Sequence, residues 1–322
     1  MGSSTGVRTV AAAAAVLLLA AGCESGGSRA PEGSSAPAAA ASAPAASAPD
    51  PAPSPEPVPY GRTLAGLVDP VGRALERAAA ARSTGALDGR LDDARRAASD
   101  AARGLDAAVP PADAAQPHRD LAAALDRLAG DIDAVRSGMG AGRYCTASAA
   151  LAGLGASAGL RALPGPLRRL ADAGYRTSYR PPRTGPVRDR RRATGSYVRS
   201  GSRTGRGSLT IENGGGRDAV VSLARGGRTV HSVYVRRGST FKVRGVRDGT
   251  YAVYFTSGRD WDGSARRFTR DCGFSRFDDT MRFATVTTAT QIRWTTWRLT
   301  LQPVAGGNAR TTGLDARSFP TP

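Results

Sequence analysis

The sequence predicts a multidomain α plus β chain, with a small antiparallel helical bundle followed by an antiparallel β-sandwich. Three observations carry that expectation. Apolar residues recur at helical spacing through 60–160. Short β-prone runs alternate with glycine-rich turns through 208–303. Between them, residues 161–207 lose all hydrophobic period and turn strongly basic.

The chain has 322 residues, enough for two modest domains, and carries a net charge of +18. Its basic residues are 44 Arg and the single Lys242. With so much Ala, Gly and Pro alongside, that bias reflects a high-GC genome in part, so an arginine cluster is weaker evidence of function here than elsewhere. The charge is also uneven. Residues 1–59 sum to −2, 60–160 to zero, 161–207 to +11, 208–303 to +8 and 304–322 to +1.

The elements follow in chain order. Arg8 precedes an unbroken apolar run from Val10 to Leu19. As a helix this run spans about 15 Å, roughly half a bilayer core, so 1–22 reads as a signal peptide and not as a membrane span. The run Leu17-Leu18-Leu19-Ala20-Ala21-Gly22-Cys23 then resembles the lipobox of bacterial lipoproteins of actinobacterial type. Ala20 stands where that family prefers Leu, with Leu19 one place further back. The resemblance implies cleavage before Cys23, acylation of Cys23, and a protein anchored by lipid to the outer face of the cell membrane. Residues 23–59, rich in Ala, Pro and Ser, lack the large apolar side chains that could offset ordering entropy, and read as an extended tether.

In 60–160, Leu87, Leu91, Ala94, Ala98, Ala101 and Leu105 lie on one helical stripe, and Leu121, Leu125, Leu128, Ile132 and Val135 on another. Asp69-Pro70 before Val71 has the form of a helix start, and a weaker fourth helix is expected from about Cys145 to Leu160, diluted by Gly153, Gly155 and Gly159. Short connections imply antiparallel neighbours. Residues 161–207 begin with a short helix near Leu167 to Ala173 and continue as a basic linker expected to be disordered. In 208–303 the strands expected are Leu209–Glu212, Ala219–Ala224, Val230–Val235, Phe241–Arg244, Tyr251–Thr256, Met281–Thr288 and Ile292–Leu301. Residues Phe241 to Val253, with Gly245, Gly249 and Tyr251, resemble the hairpin of transthyretin-like and carboxypeptidase-regulatory-like accessory sandwiches. That resemblance implies the fold and brings no catalytic residue. Residues 304–322 are expected as a disordered tail.

The candidate sites are few. The basic stretch 176–207, which includes Arg188, Arg190, Arg191 and Arg192 and has Tyr175, Tyr179 and Tyr197 interleaved, either grips an anionic polymer or lipid headgroups or forms a solvated linker. Nucleic acid is not expected outside the cell. Asp260, Asp262, Asp271, Asp278 and Asp279 form an acidic cluster in a stretch read as loop. Either these acids pair with Arg259, Arg266, Arg267, Arg270 and Arg276, or Asp260, Asp262 and Asp271 hold Ca²⁺. The pairing is favoured, since Gly263 falls at the fourth place of the loop and not the sixth. Cys145 and Cys272 either bridge the two domains or remain buried thiols. Ser239-Thr240-Phe241-Lys242 matches S-x-x-K, but its flanks read as strand, where an offset of three separates the side chains. His118 and His231 have no Cys or Ser partner in a recognisable arrangement.

The function expected is non-catalytic binding or assembly at the envelope, without a cofactor. Its partners are the membrane, through the acyl anchor, and anionic wall polymers, lipids or envelope proteins. The alternative is a wall-active enzyme, or a Ca²⁺-binding module, built on the acidic cluster of 260–279.

Overall fold

Helix α1 (Tyr60–Ala79) buries Leu64, Val68, Val71, Leu75 and Ala78 along one stripe. It is the first element of a computed structural model that describes residues 59–302 and 309–322. The expected signal peptide, Cys23 and the tether up to residue 58 lie outside the described residues, as do 303–308. Asp69-Pro70 does not start a helix, because α1 runs through it. The acceptor that Pro70 deprives of an amide is the carbonyl of the exposed Gly66, where water can replace it.

Helix α2 (Thr84–Ala107) begins at Ser83, whose Oγ accepts from the Ala86 amide at 3.2 Å. A 3₁₀ turn at Ala112–Ala114 leads into α3 (Ala115–Gly140). The two sequence stripes become the buried faces of α2 and α3, sharing one core with α1. The expected fourth helix is in fact two, α4 (Ala147–Gly155) and α5 (Ala158–Ala162), and the short helix expected near Leu167 to Ala173 is α6 (Pro164–Asp172). Ser157 breaks the run by capping α5, its Oγ accepting from the Leu160 amide.

The strands are β1 (Tyr197–Ser200), β2 (Gly207–Asn213), β3 (Asp218–Arg225), β4 (Arg228–Val235), β5 (Ser239–Val246) and β6 (Gly249–Asp262). They continue as β7 (Arg267–Phe277), β8 (Met281–Phe283), β9 (Thr285–Thr287), β10 (Ile292–Trp294), β11 (Thr296–Thr300) and β12 (Thr311–Gly313). The large sheet has the order β1-β4-β3-β6-β7-β12, with β8 added to the start of β6. A smaller sheet, β11-β2-β5, packs against it, and β9 and β10 form a separate hairpin. Among the described strands all pairings are antiparallel except β11 with β2. Leu209, Ile211, Val221, Val233, Val235, Val243, Val253 and Leu299 fill the space between the sheets. Strand alternation sends Val220 and Tyr234 to the far face, where they join Trp261 and Phe268 in a second apolar cluster.

That far face is covered by the segment expected to be a disordered linker. After α6, residues 175–196 form an extended strap. Ser178 donates to Asp69 on α1 at 2.8 Å, and the Tyr179 ring lies against Gly72. Further along, the Arg190 carbonyl accepts from the Trp261 amide at 2.8 Å, and Gly195 donates to the Tyr234 carbonyl at 2.8 Å. The strap then becomes β1, on the edge of β4. A hydrophobic period is missing because backbone bonds and arginine side chains hold this segment. The expected disordered tail is also corrected for 309–322. There β12 pairs with β7, and the Phe319 ring sits 5.3 Å from Phe274 and 6.0 Å from Tyr254.

Bundle and sheets belong to one compact unit. The α3–α4 loop lies along β7 like a further strand. Cys145 donates to the Thr269 carbonyl at 2.8 Å, and Asp271 to the Arg143 carbonyl at 3.1 Å. Cys145 and Cys272 form a disulfide there, with Cα atoms 6.3 Å apart. Among the described residues no helix is long and apolar enough to cross a membrane.

Candidate anion-binding cleft

The two sequence-predicted clusters meet at Arg190, which pairs with Asp260 and Asp262. Arg190 donates from Nε and Nη2 to the two oxygens of Asp260, both at 2.8 Å, and its backbone amide adds a third bond at 2.9 Å. Thr269 Oγ1 gives Asp260 a fourth donor at 2.6 Å, while Arg190 Nη1 reaches Asp262 at 3.3 Å. One residue on, Arg191 forks onto Asp218 at 2.7 and 2.6 Å. Tyr234 OH, at 2.5 Å, and the Arg237 amide, at 3.0 Å, complete four donors to Asp218. Consecutive arginines on an extended strap point to different sides, so each finds its own aspartate. Both carboxylates are buried.

Backbone conformation helps place Asp260. A register shift follows Ser257 in the β6–β7 pairing, and Asp260 adopts φ 53°, the left-handed region. Asp can occupy that region at modest cost, and here the carboxylate is over-determined by four donors.

The electrostatics follow from this packing. Burial pushes the Asp260 pKa up, but the hydrogen bonds from Arg190 and Thr269 outweigh burial and hold it well below the usual carboxylate range. The same balance, with Arg191 and Tyr234 as donors, lowers Asp218. The bond to Asp260 pushes Arg190 up, and the bond to Asp218 does so for Arg191. Burial, then the bond to Asp218, raises the Tyr234 phenol.

The pairing favoured for the acidic cluster is what the structure shows, with Arg190 as the partner of Asp260 and Asp262 in place of the arginines expected, while the expected polymer grip is corrected for two of its four arginines. Arg190 and Arg191 are committed within the protein and cannot grip an external polymer. Asp260 and Asp262 are committed to Arg190, and Asp271 faces Arg259 at 3.5 Å, so the three do not converge on a Ca²⁺ position. Among the described residues, no group of three His, Cys, Asp or Glu side chains could hold a metal ion. The stretch read as an acidic loop is mostly the long hairpin of β6 and β7. Its Arg-Asp-Gly composition hid the strands because it lacks an apolar alternation.

The remaining candidates fall elsewhere. Ser239 and Lys242 both lie in β5, not on one turn of a helix. His118 is buried in α3, where Nε2 donates to the Leu105 carbonyl and Nδ1 accepts from Tyr60 OH, each at 2.9 Å. His231 is buried in β4 with no hydrogen-bond partner on either ring nitrogen among the described residues. Burial and then the charge of Arg203 hold its pKa below the ordinary value.

Beside the Arg190–Asp260 clasp opens a cleft of about 690 Å³, a size that suits a small ligand or a polymer segment. The α1–α2 turn, the start of α4, the strap and the β6–β7 hairpin form its walls. Ala79, Ala147, Leu151 and Val187 give it apolar surface. Arg82, Arg183 and Arg188 line it as exposed side chains that form no ion pair among the described residues. Arg270 also lines it. Its Nη2 is bound to the Arg188 carbonyl at 2.5 Å, while its buried Nε has no partner among the described residues. Thr146 caps α4 by accepting from the Ala149 amide at 3.2 Å, so the positive end of that helix also opens here.

Comparison with protein families, curated proteins and solved structures finds no match to this chain.

Of the cleft arginines, Arg188 was singled out in the sequence for its charge run, and Arg270 only as an ion-pair partner. Arg82 and Arg183 carry no local signal. They are isolated arginines in a chain with 44 of them, brought together by tertiary packing alone.

Proposed function

We propose that this protein is a lipid-anchored lipoprotein of the cell envelope, tethered through Cys23 at the outer face of the membrane, and that it binds without catalysing. Its cleft takes an anionic group carried by a wall polymer or a lipid. The observation that carries this reading is the excess of positive charge in one concave site. Arg82, Arg183, Arg188, Arg190 and Arg270 line the cleft against two carboxylates, Asp260 and Asp262, which both pair with Arg190, and among the described residues Arg82, Arg183 and Arg188 form no ion pair. The positive end of α4 adds to the same field. The apolar wall favours a ligand with a hydrocarbon or sugar surface next to its anion.

The test is binding of the full chain to isolated cell walls and to anionic vesicles across a salt series, beside a variant carrying Arg82→Gln, Arg183→Gln and Arg188→Gln. Binding is expected to fade as salt rises and to fall about tenfold or more in the variant, since each surface arginine contributes on the order of 1 kcal/mol near an anionic surface. Unchanged binding by the variant overturns the cleft. A chain that fractionates as a soluble protein, and stays so with Cys23→Ala, overturns the anchor.

A further inference from the structure

We infer that the β9–β10 hairpin, together with Trp297, is a surface that docks on an anionic phospholipid bilayer. The proposal goes beyond the cleft and uses none of its residues.

Four of the six exposed large apolar side chains among the described residues fall in this one short region: Val286, Ile292, Trp294 and Trp297. Trp294 is 49 % exposed and Val286 56 %. Clustered exposure of this kind marks an interaction surface, whereas scattered apolar side chains need no explanation. The pairing of β9 with β10 sets how the cluster is displayed. Ile292 lies opposite Thr287 and Trp294 opposite Thr285, so both apolar residues share one face. Val286 lies opposite Arg293 on the other face. A ribbon with exposed apolar side chains on both faces, one of them beside an arginine, suits insertion between headgroups. A flat sugar-stacking platform would present its rings on one face.

The charges point the same way. From Phe283 to Ile292 no residue is charged, and the turn itself is Thr288-Ala289-Thr290-Gln291. Arg282 and Arg293 flank that neutral tip, and 281–300 contains three Arg and no acid. Arg298 is paired with Glu212, and Arg293 bonds only the Gln291 side chain among the described residues. An uncharged tip, with exposed valine, isoleucine and tryptophans behind it and arginines beside them, suits the headgroup and ring-belt depth of a bilayer interface. The base is held in place. Asp248 accepts from the Thr285 amide at 2.8 Å and from its hydroxyl at 2.9 Å, and Trp297 Nε1 donates to the Arg282 carbonyl at 3.0 Å. The hairpin is therefore presented on a fixed support, so little ordering cost remains when it binds.

Tryptophan fluorescence of the full chain tests this, using vesicles that contain brominated lipid, with and without phosphatidylglycerol. The chain has three tryptophans, and Trp261 is buried in the far-face cluster, so quenching reports Trp294 and Trp297. Quenching of both is expected in the anionic vesicles. It should fall severalfold in purely zwitterionic vesicles and in the Arg282→Gln, Arg293→Gln variant. In Trp294→Phe the remaining signal should come from Trp297, which checks the assignment. Each comparison holds the N-terminal segment constant, so failure of the lipid anchor and failure of this surface read out separately. Absence of quenching in anionic vesicles overturns the proposal, as does equal quenching with and without the anionic lipid. Concentration-dependent dimerisation abolished by Trp294→Ser, without quenching, would assign the surface to a second copy of the chain instead. A spectral shift caused by soluble wall glycan alone would assign it to carbohydrate.

Discussion

Asp260 and Asp218 each receive four hydrogen bonds from the protein, and each is forked by one of two consecutive arginines. A buried carboxylate so committed is a structural element, not an acid or base in waiting. Removing one partner leaves the other charge uncompensated. Asp260→Asn is therefore expected to cost about 3 kcal/mol in a denaturant titration, the low end of the range for a buried pair because Arg190 is 37 % exposed. Arg190→Lys keeps the charge but loses the fork, so it should restore little. The pH dependence has a definite sign. Asp260 and Asp218 are depressed in the folded state below the ordinary value of 3.8. Their contribution is thus fully present above about pH 4 and is lost as pH falls toward the folded values. Melting temperature should hold between pH 7 and pH 5 and drop below pH 4, with a shallower drop in the Asp260→Asn, Asp218→Asn variant. An equal drop in both proteins would remove this role. Sequence alone marked Arg190 and Asp260 as noteworthy, yet as two separate sites. They lie 70 residues apart, and nothing local to either names the other.

At the scale of elements, the glycines that diluted the fourth helix turn out to be its packing surface. A Cβ at Gly159 would meet the backbone of Leu128 at 2.4 Å, so α5 sits directly on α3. Gly155 makes room for Thr184 of the strap, and Gly153 for the Tyr144 ring. Gly159→Ala should therefore cost about 1–3 kcal/mol by overpacking. Gly130→Ala, exposed in mid-α3 with nothing near its Cβ position, should gain about 0.5–1 kcal/mol through helix propensity. Two-state urea unfolding of the pair checks both signs. The elements that could be read from sequence are those that bury a regular stripe. These were the faces of α2 and α3, the strands from β2 to β6, where apolar alternation is punctuated by turns such as Gly226-Gly227 and Asp248-Gly249, and the runs Met281–Thr288 and Ile292–Leu301, each of which the structure splits in two as β8 and β9 and as β10 and β11. The elements that could not be read, β1, β7, β12 and the strap, are polar and are fixed by partners far along the chain. The composition of 161–207 resembles that of a solvated linker because arginine side chains take the place of apolar ones in its contacts.

At the scale of the whole molecule, bundle and sandwich are joined three times over. The α3–α4 loop pairs with β7, a disulfide joins Cys145 to Cys272 across 127 residues of sequence, and the strap runs from α1 to β4. In the loop-entropy account a bridge of that span contributes up to about 5 kcal/mol. Reduction should therefore lower the melting temperature measurably while the strap contacts persist. The cleft depends on this union, since its walls come from both halves and from the strap. The most direct measurement is limited trypsin digestion of the oxidised full chain, followed by mass spectrometry of 175–207. The bonds after Arg190, Arg191 and Arg192 are ideal tryptic sites in any unstructured linker. A docked strap predicts that they resist cleavage until the fold as a whole opens, and become sensitive in Asp260→Asn, Asp218→Asn. Rapid cleavage there in the parent protein, leaving two folded pieces held only by the disulfide, would contradict the account.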